Sequence, residues 1–164
     1  DEIEKRRDLR HLNIITIDGK DAKDLDDAVY VEKTENGYKL LVSISDVSYY
    51  VKENTELDGE ALKRGNSIYL VDRVIPMLPK KLSNNLCSLN PNEDKLTFTV
   101  EIDFDNNGKI IGNDFYKSVI KSKYRMTYND VNEIFDSNIE LIDKYSEIVS
   151  MLHQMLELSH LIRE

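Results

Sequence analysis

The sequence is poor in cysteine, tryptophan and proline: its 164 residues include one cysteine, Cys87, no tryptophan and three prolines. A lone thiol excludes an internal disulfide, so a reducing cytoplasm is the expected compartment. No apolar run approaches the roughly 20 residues of a membrane-spanning helix and no signal peptide is recognised, so no membrane partner is expected. The remaining composition, 40% hydrophobic and 32% charged, is typical of an ordinary globular domain.

The sequence also has fewer basic than acidic residues, 22 against 31, and its net charge is −9. The distribution is uneven, because the segment 129–164 holds eight acidic residues against Lys144 and Arg163. Basic residues gather in two groups, Lys5, Arg6, Arg7 and Arg10, and then Lys117, Lys121, Lys123 and Arg125. RNA or DNA therefore stays open as a partner through local attraction. The first basic group either contacts phosphates or offsets acidic side chains.

Alternating apolar and polar residues predict several strands, with few helices between them. Strands are expected at "NIITI", "DDAVYVEK", "YKLLVSISDVSYYV" and "SIYL", and then in a long hairpin over 95–127 that turns at Asn107 and Gly108. Helices are expected over 56–64, 127–135 and 139–163, and the prolines of "VIPMLPKKLSNNLCSLNP" predict an irregular loop with one short turn. Because strands and helices do not alternate strictly, the predicted class is α+β, an antiparallel or mixed sheet with packed helices.

The stretch "ITIDGKDAKDLDDAVY", residues 15–30, is dense in like charge, with aspartates at Asp18, Asp21, Asp24, Asp26 and Asp27. Two carboxylates ~4 Å apart repel by a few kcal/mol at an effective dielectric of about 20, so a counter-charge is expected. A strand, loop and returning strand bring both ends of the stretch together, so Asp18, Asp24, Asp26 and Asp27 can converge. Carboxylate oxygens suit Mg²⁺ or Mn²⁺, and two such ions ~3.5–4 Å apart would support phosphodiester cleavage.

Other interpretations of the acidic stretch are weaker or remain open. An EF-hand calcium loop needs acids, a glycine and a glutamate at fixed positions, and no register supplies them. An aspartyl-phosphate site has no supporting motif, whereas a solvated acidic loop stays open because charge runs usually face water.

For two further candidate sites we prefer an ordinary structural role to a functional one. His153, Glu157 and His160 share one helix face and could imitate a zinc site, but a solvated or half-buried face is favoured. Cys87 lies between apolar residues and is expected to be a small buried side chain.

Several motifs together resemble a known family. The stretch "TIDGKDAKDLDDAV" resembles the signature of the ribonuclease II superfamily catalytic domain, the RNB domain. "RRDLR" precedes it, and "ISDVSYYV", "LDGEALKRGNSIYL", "VIPMLPKKLSNNLCSLNP" and "SKYRMTYNDV" follow in the same order as in that family. The resemblance covers about 6–145, and within the superfamily it is strongest to the bacterial ribonuclease R group. It implies that residues 1–164 form the N-terminal half of an RNB-type catalytic domain.

The resemblance implies a processive 3′→5′ exoribonuclease that hydrolyses single-stranded RNA to nucleoside 5′-monophosphates with Mg²⁺. The metal-site aspartates of the family fall on Asp18, Asp24, Asp26 and Asp27, of which Asp26 is expected to be the most sensitive chemically. Asp21 stands where the family does not require an acid. Two RNA-binding tyrosines fall on Tyr69, which would stack on the 3′-terminal bases, and on Tyr128 of "RMTY", where the family has "RLTY".

The family's catalytic domain is about twice as long and is flanked by cold-shock and S1 domains. We therefore expect the chain by itself to be inactive, and to have exposed apolar surface through which it could dimerise artefactually. Two other functions remain open: an RNA-binding or scaffold member whose chemistry has lapsed, and an acidic cation-binding interaction module without nucleic acid.

Overall fold

The computed structural model describes residues 2–163, in which a seven-stranded mixed sheet forms the centre of the molecule. The strands are β1 (Arg7–Asp8), β2 (Ile15–Asp18), β3 (Asp27–Thr34), β4 (Gly37–Ser45), β5 (Ile68–Tyr69), β6 (Val74–Ile75), β7 (Asp94–Asp105), β8 (Ile110–Lys121) and β9 (Tyr124–Thr127). Their order across the sheet is β1-β8-β7-β4-β3-β2-β9, while β5 and β6 form a separate hairpin. The β1–β8 and β2–β9 pairs are parallel and the other pairs are antiparallel.

The same described residues form five α-helices: α1 (Val47–Tyr50), α2 (Glu56–Arg64), α3 (Tyr128–Phe135), α4 (Ile139–Lys144) and α5 (Ser146–Leu161). Thr55 and Thr127 cap α2 and α3, because each hydroxyl accepts a hydrogen bond from a backbone N–H three residues later. A π-helical turn at Leu82–Leu86 interrupts the proline-rich loop. The predicted α+β class is confirmed. Within residues 2–163, no helix has the length and apolar character needed to cross a membrane.

The two faces of the sheet carry separate cores. On one face, α3–α5 cover β2, β3 and β9 through a cluster that includes Ile15, Met126, Ile148 and Leu152, all of them fully buried. On the other face, a second cluster consists of Leu9, Ile14, Leu25, Ala28, Leu41, Leu89 and Ile120. Leu25 anchors the loop between β2 and β3 in this second core, so the loop lies on the face opposite the helices.

The predicted third strand is too long, and the predicted last helix is broken. β4 ends at Ser45 because the side chain of Asp46 accepts from the backbone N–H of Tyr49 and begins α1. The last helix is divided at Tyr145, a buried residue with φ −110° and ψ 24°, whose ring packs edge-on against Tyr124 at 5.5 Å between ring centroids.

The hairpin over 95–127 is confirmed for β7 and β8 but not for its last residues. Gly108 has φ +76° in the turn, and a Cβ there would lie 2.9 Å from the carbonyl oxygen of Leu161. After Lys121 the chain leaves the hairpin, the N–H of Lys123 donates to the carbonyl of Ile14 at 2.8 Å, and β9 pairs with β2. Sequence alternation could not reveal this parallel pairing, because it does not specify a partner strand.

Candidate functional site

The acidic loop, which we define as residues 19–26, connects the end of β2 to the start of β3. The two strands pair through Ile15 and Val29. Extending that register places Asp18 opposite Asp26, and opposed residues of neighbouring strands point to the same face of a sheet. β9 lies on the other side of β2, with Thr127 beside Asp18. The ends of β2 and β9 and the start of β3 therefore meet at one end of the sheet.

A cleft of about 830 Å³ opens between the acidic loop and the β5–β6 hairpin. We call the carboxylates of Asp18, Asp24 and Asp26 the acidic wall of this cleft. Asp21 also lines the cleft, and the facing side includes Tyr69, Asp72, Arg73 and Lys80. A neighbouring cleft of about 630 Å³ shares Asp24, Asp26 and Tyr69 and is also lined by Cys87. Asp27 is exposed at the start of β3 and lines neither cleft, and Tyr128 also lies outside both.

The carboxyl groups of the acidic wall act on one another. Partial burial, followed by the charges of Asp27 and Asp24, raises the pKa of Asp18, while the Arg125 guanidinium acts in the opposite direction. Partial burial and the charges of Asp24, Asp27 and Asp18 raise the pKa of Asp26. Asp27 is therefore electrostatically coupled to the cluster although it lies outside the cleft. A bound cation would relieve this repulsion.

The donor set fits a hard divalent cation in its chemistry. Oδ2 of Asp18 is buried and has no hydrogen-bond partner, which leaves a carboxylate oxygen available as a ligand. The hydroxyl of Tyr69 donates to Oδ2 of Asp24 at 3.1 Å, so that oxygen already has a partner. Over residues 2–163, no three histidine, cysteine, aspartate or glutamate side chains stand in an arrangement that could hold a metal ion as they are. Coordination would therefore require carboxylates of this wall to rotate toward one another.

Two side chains outside the loop hold its backbone. Nη2 of Arg125 donates to the carbonyls of Lys20, at 2.8 Å, and Ala22, at 2.6 Å. Oγ of Ser88 accepts from the N–H of Leu25 at 3.1 Å and donates to the carbonyl of Lys23 at 3.0 Å. The sequence marks Arg125 only as a member of a basic group, and no motif marks Ser88. Neither contact has a local sequence signal, because the partners are more than 60 positions apart.

Tyr69 and Tyr128 are both exposed, at 68% and 59%. Tyr69 is in the short strand β5 and borders the acidic cleft, so it is not part of the core. Tyr128 begins α3 directly after Thr127, and so it lies near the end of β2.

The first basic group offsets carboxylates, but these are not the carboxylates of the acidic loop. Arg6 donates to Oδ2 of Asp46 at 2.7 Å and to the carbonyl of Thr97 at 3.1 Å, and its side chain is fully buried. Arg7 pairs with Glu101 at 3.1 Å, and Arg10 pairs at 2.7 Å with each of Asp8 and Asp94. These three arginines are occupied within the fold.

The remaining candidates are Cys87 and the helix face that carries His153, Glu157 and His160. Cys87 is buried at 2% exposure, and this burial raises the pKa of its thiol. Glu157 accepts from the hydroxyl of Tyr38 at 2.7 Å and from Nζ of Lys33 at 3.1 Å, so it is tied to the sheet. The described residues contain no zinc-binding arrangement that includes His153 and His160.

The RNB domain family model matches residues 6–164. The chain belongs to this family. Ribonuclease R of Thermotoga maritima is 51% identical to it over 160 residues, which are 97% of this chain and 22% of that protein. Ribonuclease R of Escherichia coli is 47% identical over 151 residues, covering 92% of this chain and 19% of that protein. The resemblance stated from the motifs is thus confirmed.

A solved structure shows the same RNB fold. Mycoplasma genitalium RNase R in complex with ribose-methylated single-stranded RNA matches with a TM-score of 0.91 and 40% identity, covering 99% of this chain and 26% of that one. The chain spans about a fifth of the length of the curated relatives that it matches.

Proposed function

We propose that the natural protein is a metal-dependent 3′→5′ exoribonuclease of the ribonuclease R type, acting processively in the cytoplasm on single-stranded RNA. The observation that carries this proposal is the acidic wall of Asp18, Asp24 and Asp26, which faces the exposed ring of Tyr69 across one cleft. Family membership and the names of the relatives support the activity. We also propose that the chain is the first half of the catalytic domain.

In this proposal, Asp18, Asp24, Asp26 and Asp27 hold Mg²⁺, or Mn²⁺ in its place. Bound divalent ions would supply an activated water and stabilise charge on the scissile phosphate. Asp18 offers an oxygen that already lacks a partner. Asp24 would exchange its hydrogen bond from Tyr69 for a place near the ion, and this would free the Tyr69 hydroxyl beside the substrate.

Tyr69 gives the cleft a grip that does not depend on sequence. An aromatic face stacks on any base, which contributes about 1–3 kcal/mol per base. Its ring lies next to the acidic wall, so a base stacked there would place the adjoining phosphate close to the carboxylates. Tyr128, exposed at the start of α3 and near Asp18 along the sheet, is proposed as a second RNA contact.

The test is product analysis with the natural full-length protein and a uniformly labelled single-stranded oligoribonucleotide. We expect nucleoside 5′-monophosphates in the presence of Mg²⁺ and no hydrolysis after chelation. An oligodeoxyribonucleotide of the same sequence serves as the control. Hydrolysis that continues in chelator, or products carrying 3′-phosphates, would contradict the proposal. The same assay on residues 1–164 should show no activity if this segment is only part of the catalytic domain.

A second function, RNA binding without hydrolysis, is favoured by one observation. In the described residues, the carboxylates of the acidic wall are not arranged to hold a metal ion as they stand. The same arrangement is expected of a family member that has lost its metal-dependent chemistry. Tight binding of single-stranded RNA without released monophosphates would support it. No RNA binding at all would instead favour a cation-binding interaction module.

A further inference from the structure

Arg125 occupies a position from which one side chain can control the acidic loop. It is in β9 opposite Thr16 of β2, two residues before the pair formed by Thr127 and Asp18. Directly opposed residues of neighbouring strands share a face, so Arg125 lies on the same side of the sheet as Asp18. The helices cover the other side through Met126, the next residue in the strand.

The contacts of Arg125 are with the backbone of the loop. Nη2 donates to the carbonyls of Lys20 and Ala22, which flank Asp21 on both sides. Ser88 fixes the next part of the loop through the carbonyl of Lys23 and the N–H of Leu25. Together these two side chains fix the backbone over residues 20–25, and Asp24 projects from that segment.

The chemistry of the loop explains why such a restraint would be needed. Asp18, Asp24 and Asp26 repel one another, and a free loop would move its carboxylates apart. A guanidinium is a permanently charged, rigid donor, and hydrogen bonds from charged donors are stronger than neutral ones. It can hold carbonyls of the loop while leaving the carboxylates themselves available.

We propose that Arg125 is a positioning residue, which fixes the backbone of the acidic loop by holding the carbonyls of Lys20 and Ala22, so that its carboxylates need only rotate to bind divalent cations. This inference rests on the proposed function for its metal-binding part. It makes Arg125 act through the backbone and not through contact with the substrate. A role through charge alone predicts the opposite sign for metal affinity, since removing a cation near the site would strengthen the binding of another cation.

The experiment compares Arg125→Met, which keeps the apolar stem but removes charge and donors, with Arg125→Lys, which keeps the charge. Lys123→Met is the matched control, because in the described structure the Lys123 side chain donates to none of the loop carbonyls. The natural full-length protein is used. Two quantities are measured: the Mn²⁺ dissociation constant by calorimetry, and amide hydrogen exchange in peptides covering residues 19–27.

We expect Arg125→Met to bind Mn²⁺ about tenfold more weakly and to exchange the loop amides about tenfold faster. Arg125→Lys should lie between Arg125→Met and the wild type in both quantities, and Lys123→Met should match the wild type. If Arg125→Met does not fold, Arg125→Lys decides by the same two quantities.

Unchanged loop exchange in a folded variant, or tighter Mn²⁺ binding in Arg125→Met, would overturn the positioning role. Failure of the proposed function would give a different experimental result from failure of the positioning role. A wild-type protein that neither binds Mn²⁺ nor hydrolyses RNA would overturn that function, whatever happens to loop exchange in the variants.

Discussion

Two groups of carboxylates in this molecule have opposite environments. Asp46 and Glu101 are buried, and each accepts from basic side chains: Asp46 from Arg6, and Glu101 from Lys39 with Arg7 paired beside it. The neighbouring charge that acts most strongly on Asp18, and on Asp26, is that of another aspartate, and the Arg125 guanidinium opposes it at Asp18.

The pKa values of the two groups follow these environments. Burial acts against ionisation of Asp46, but hydrogen bonds from Ser48 and Arg6 outweigh it and lower the pKa of Asp46. Partial burial raises the pKa of Asp18, and the neighbouring aspartates add to the increase. The first group is complete within the chain and contributes to stability. In the second group, neighbouring carboxylates outweigh the one opposing charge of Arg125, as expected of a site that receives a cation from a ligand.

The largest expected effect is on the rate of hydrolysis, and it tests whether the second group, Asp18 and Asp26, has a catalytic function. Asp26→Asn in the full-length protein should lower hydrolysis of a labelled oligoribonucleotide by about a thousandfold or more, since a residue at the reacting centre is lost. Binding of the oligonucleotide should stay nearly intact. Asp21→Asn, a change of the same charge in the same loop, is the control and should retain most activity. Equal losses in both variants would mean that only the total charge of the loop matters.

The first group, Asp46 and Glu101, should affect the stability of the fold and not the rate of hydrolysis. Asp46→Asn removes the buried charge partner of the Arg6 guanidinium and leaves it only the more exposed Glu2, which should cost about 3 kcal/mol in the free energy of unfolding. Denaturant unfolding measures the loss. The exposed pair of Asp8 and Arg10 provides the contrast, because Asp8→Asn should leave the unfolding midpoint almost unchanged. A small loss for Asp46→Asn would show that the buried pair contributes little.

A smaller effect concerns the aromatic side of the cleft. Tyr69→Ala should weaken binding of a single-stranded oligoribonucleotide by about 1–3 kcal/mol, because one stacking surface is removed. Tyr69→Phe keeps the ring but removes the hydrogen bond to Asp24, so it should bind RNA nearly as well as the wild type. Fluorescence anisotropy with a chelator present separates binding from hydrolysis. If both variants bind equally weakly, the hydroxyl and not the ring is the important part.

The smallest effect is a difference in the pH dependence of stability. The folded-state pKa of Asp18 is raised, so its ionised form destabilises the fold at neutral pH, and this cost disappears as pH falls through the folded-state pKa. The folded-state pKa of Asp46 is lowered, so its stabilisation is present above an unfolded value of 3.8 and is lost below it.

Without divalent cations, Asp18→Asn should therefore raise the melting temperature at neutral pH by about 1–2 °C, and the gain should vanish in acid. The deficit of Asp46→Asn should shrink on acidification. Melting curves from about pH 3 to pH 7 measure both changes. A gain for Asp18→Asn that persists at the acid end would have to come from something other than charge.

Local chemistry made much of the fold predictable. Threonine caps gave the starts of α2 and α3, the alternation of β7 and β8 gave the hairpin, and the density of aspartates drew attention to residues 15–30. The predicted ends of strands and helices were wrong where contacts between residues distant in sequence contribute. Asp46 ends β4 by capping α1, and the distant Arg6 binds its other carboxylate oxygen; Tyr145, at which the last helix divides, packs its ring on the distant Tyr124.

The same distinction applies to the site. The identity of the acidic residues was visible in the sequence, but the restraints on their loop were not, since Arg125 lies 103 positions from Ala22 and Ser88 lies 63 positions from Leu25. That Asp27 stands outside the cleft also depends on where β3 begins, which alternation cannot define to one residue.

The parallel pairing of β9 with β2 has a consequence for how the protein is made. During synthesis, the ribosome releases the acidic loop long before Thr127 and Arg125 appear, so the growing chain carries its most crowded negative charges without the strand that fastens them. Closing so long a loop is slow. The cleft should therefore be among the last parts of the sheet to mature, and a nascent chain stalled before β9 would have the aspartates but no ordered pocket around them.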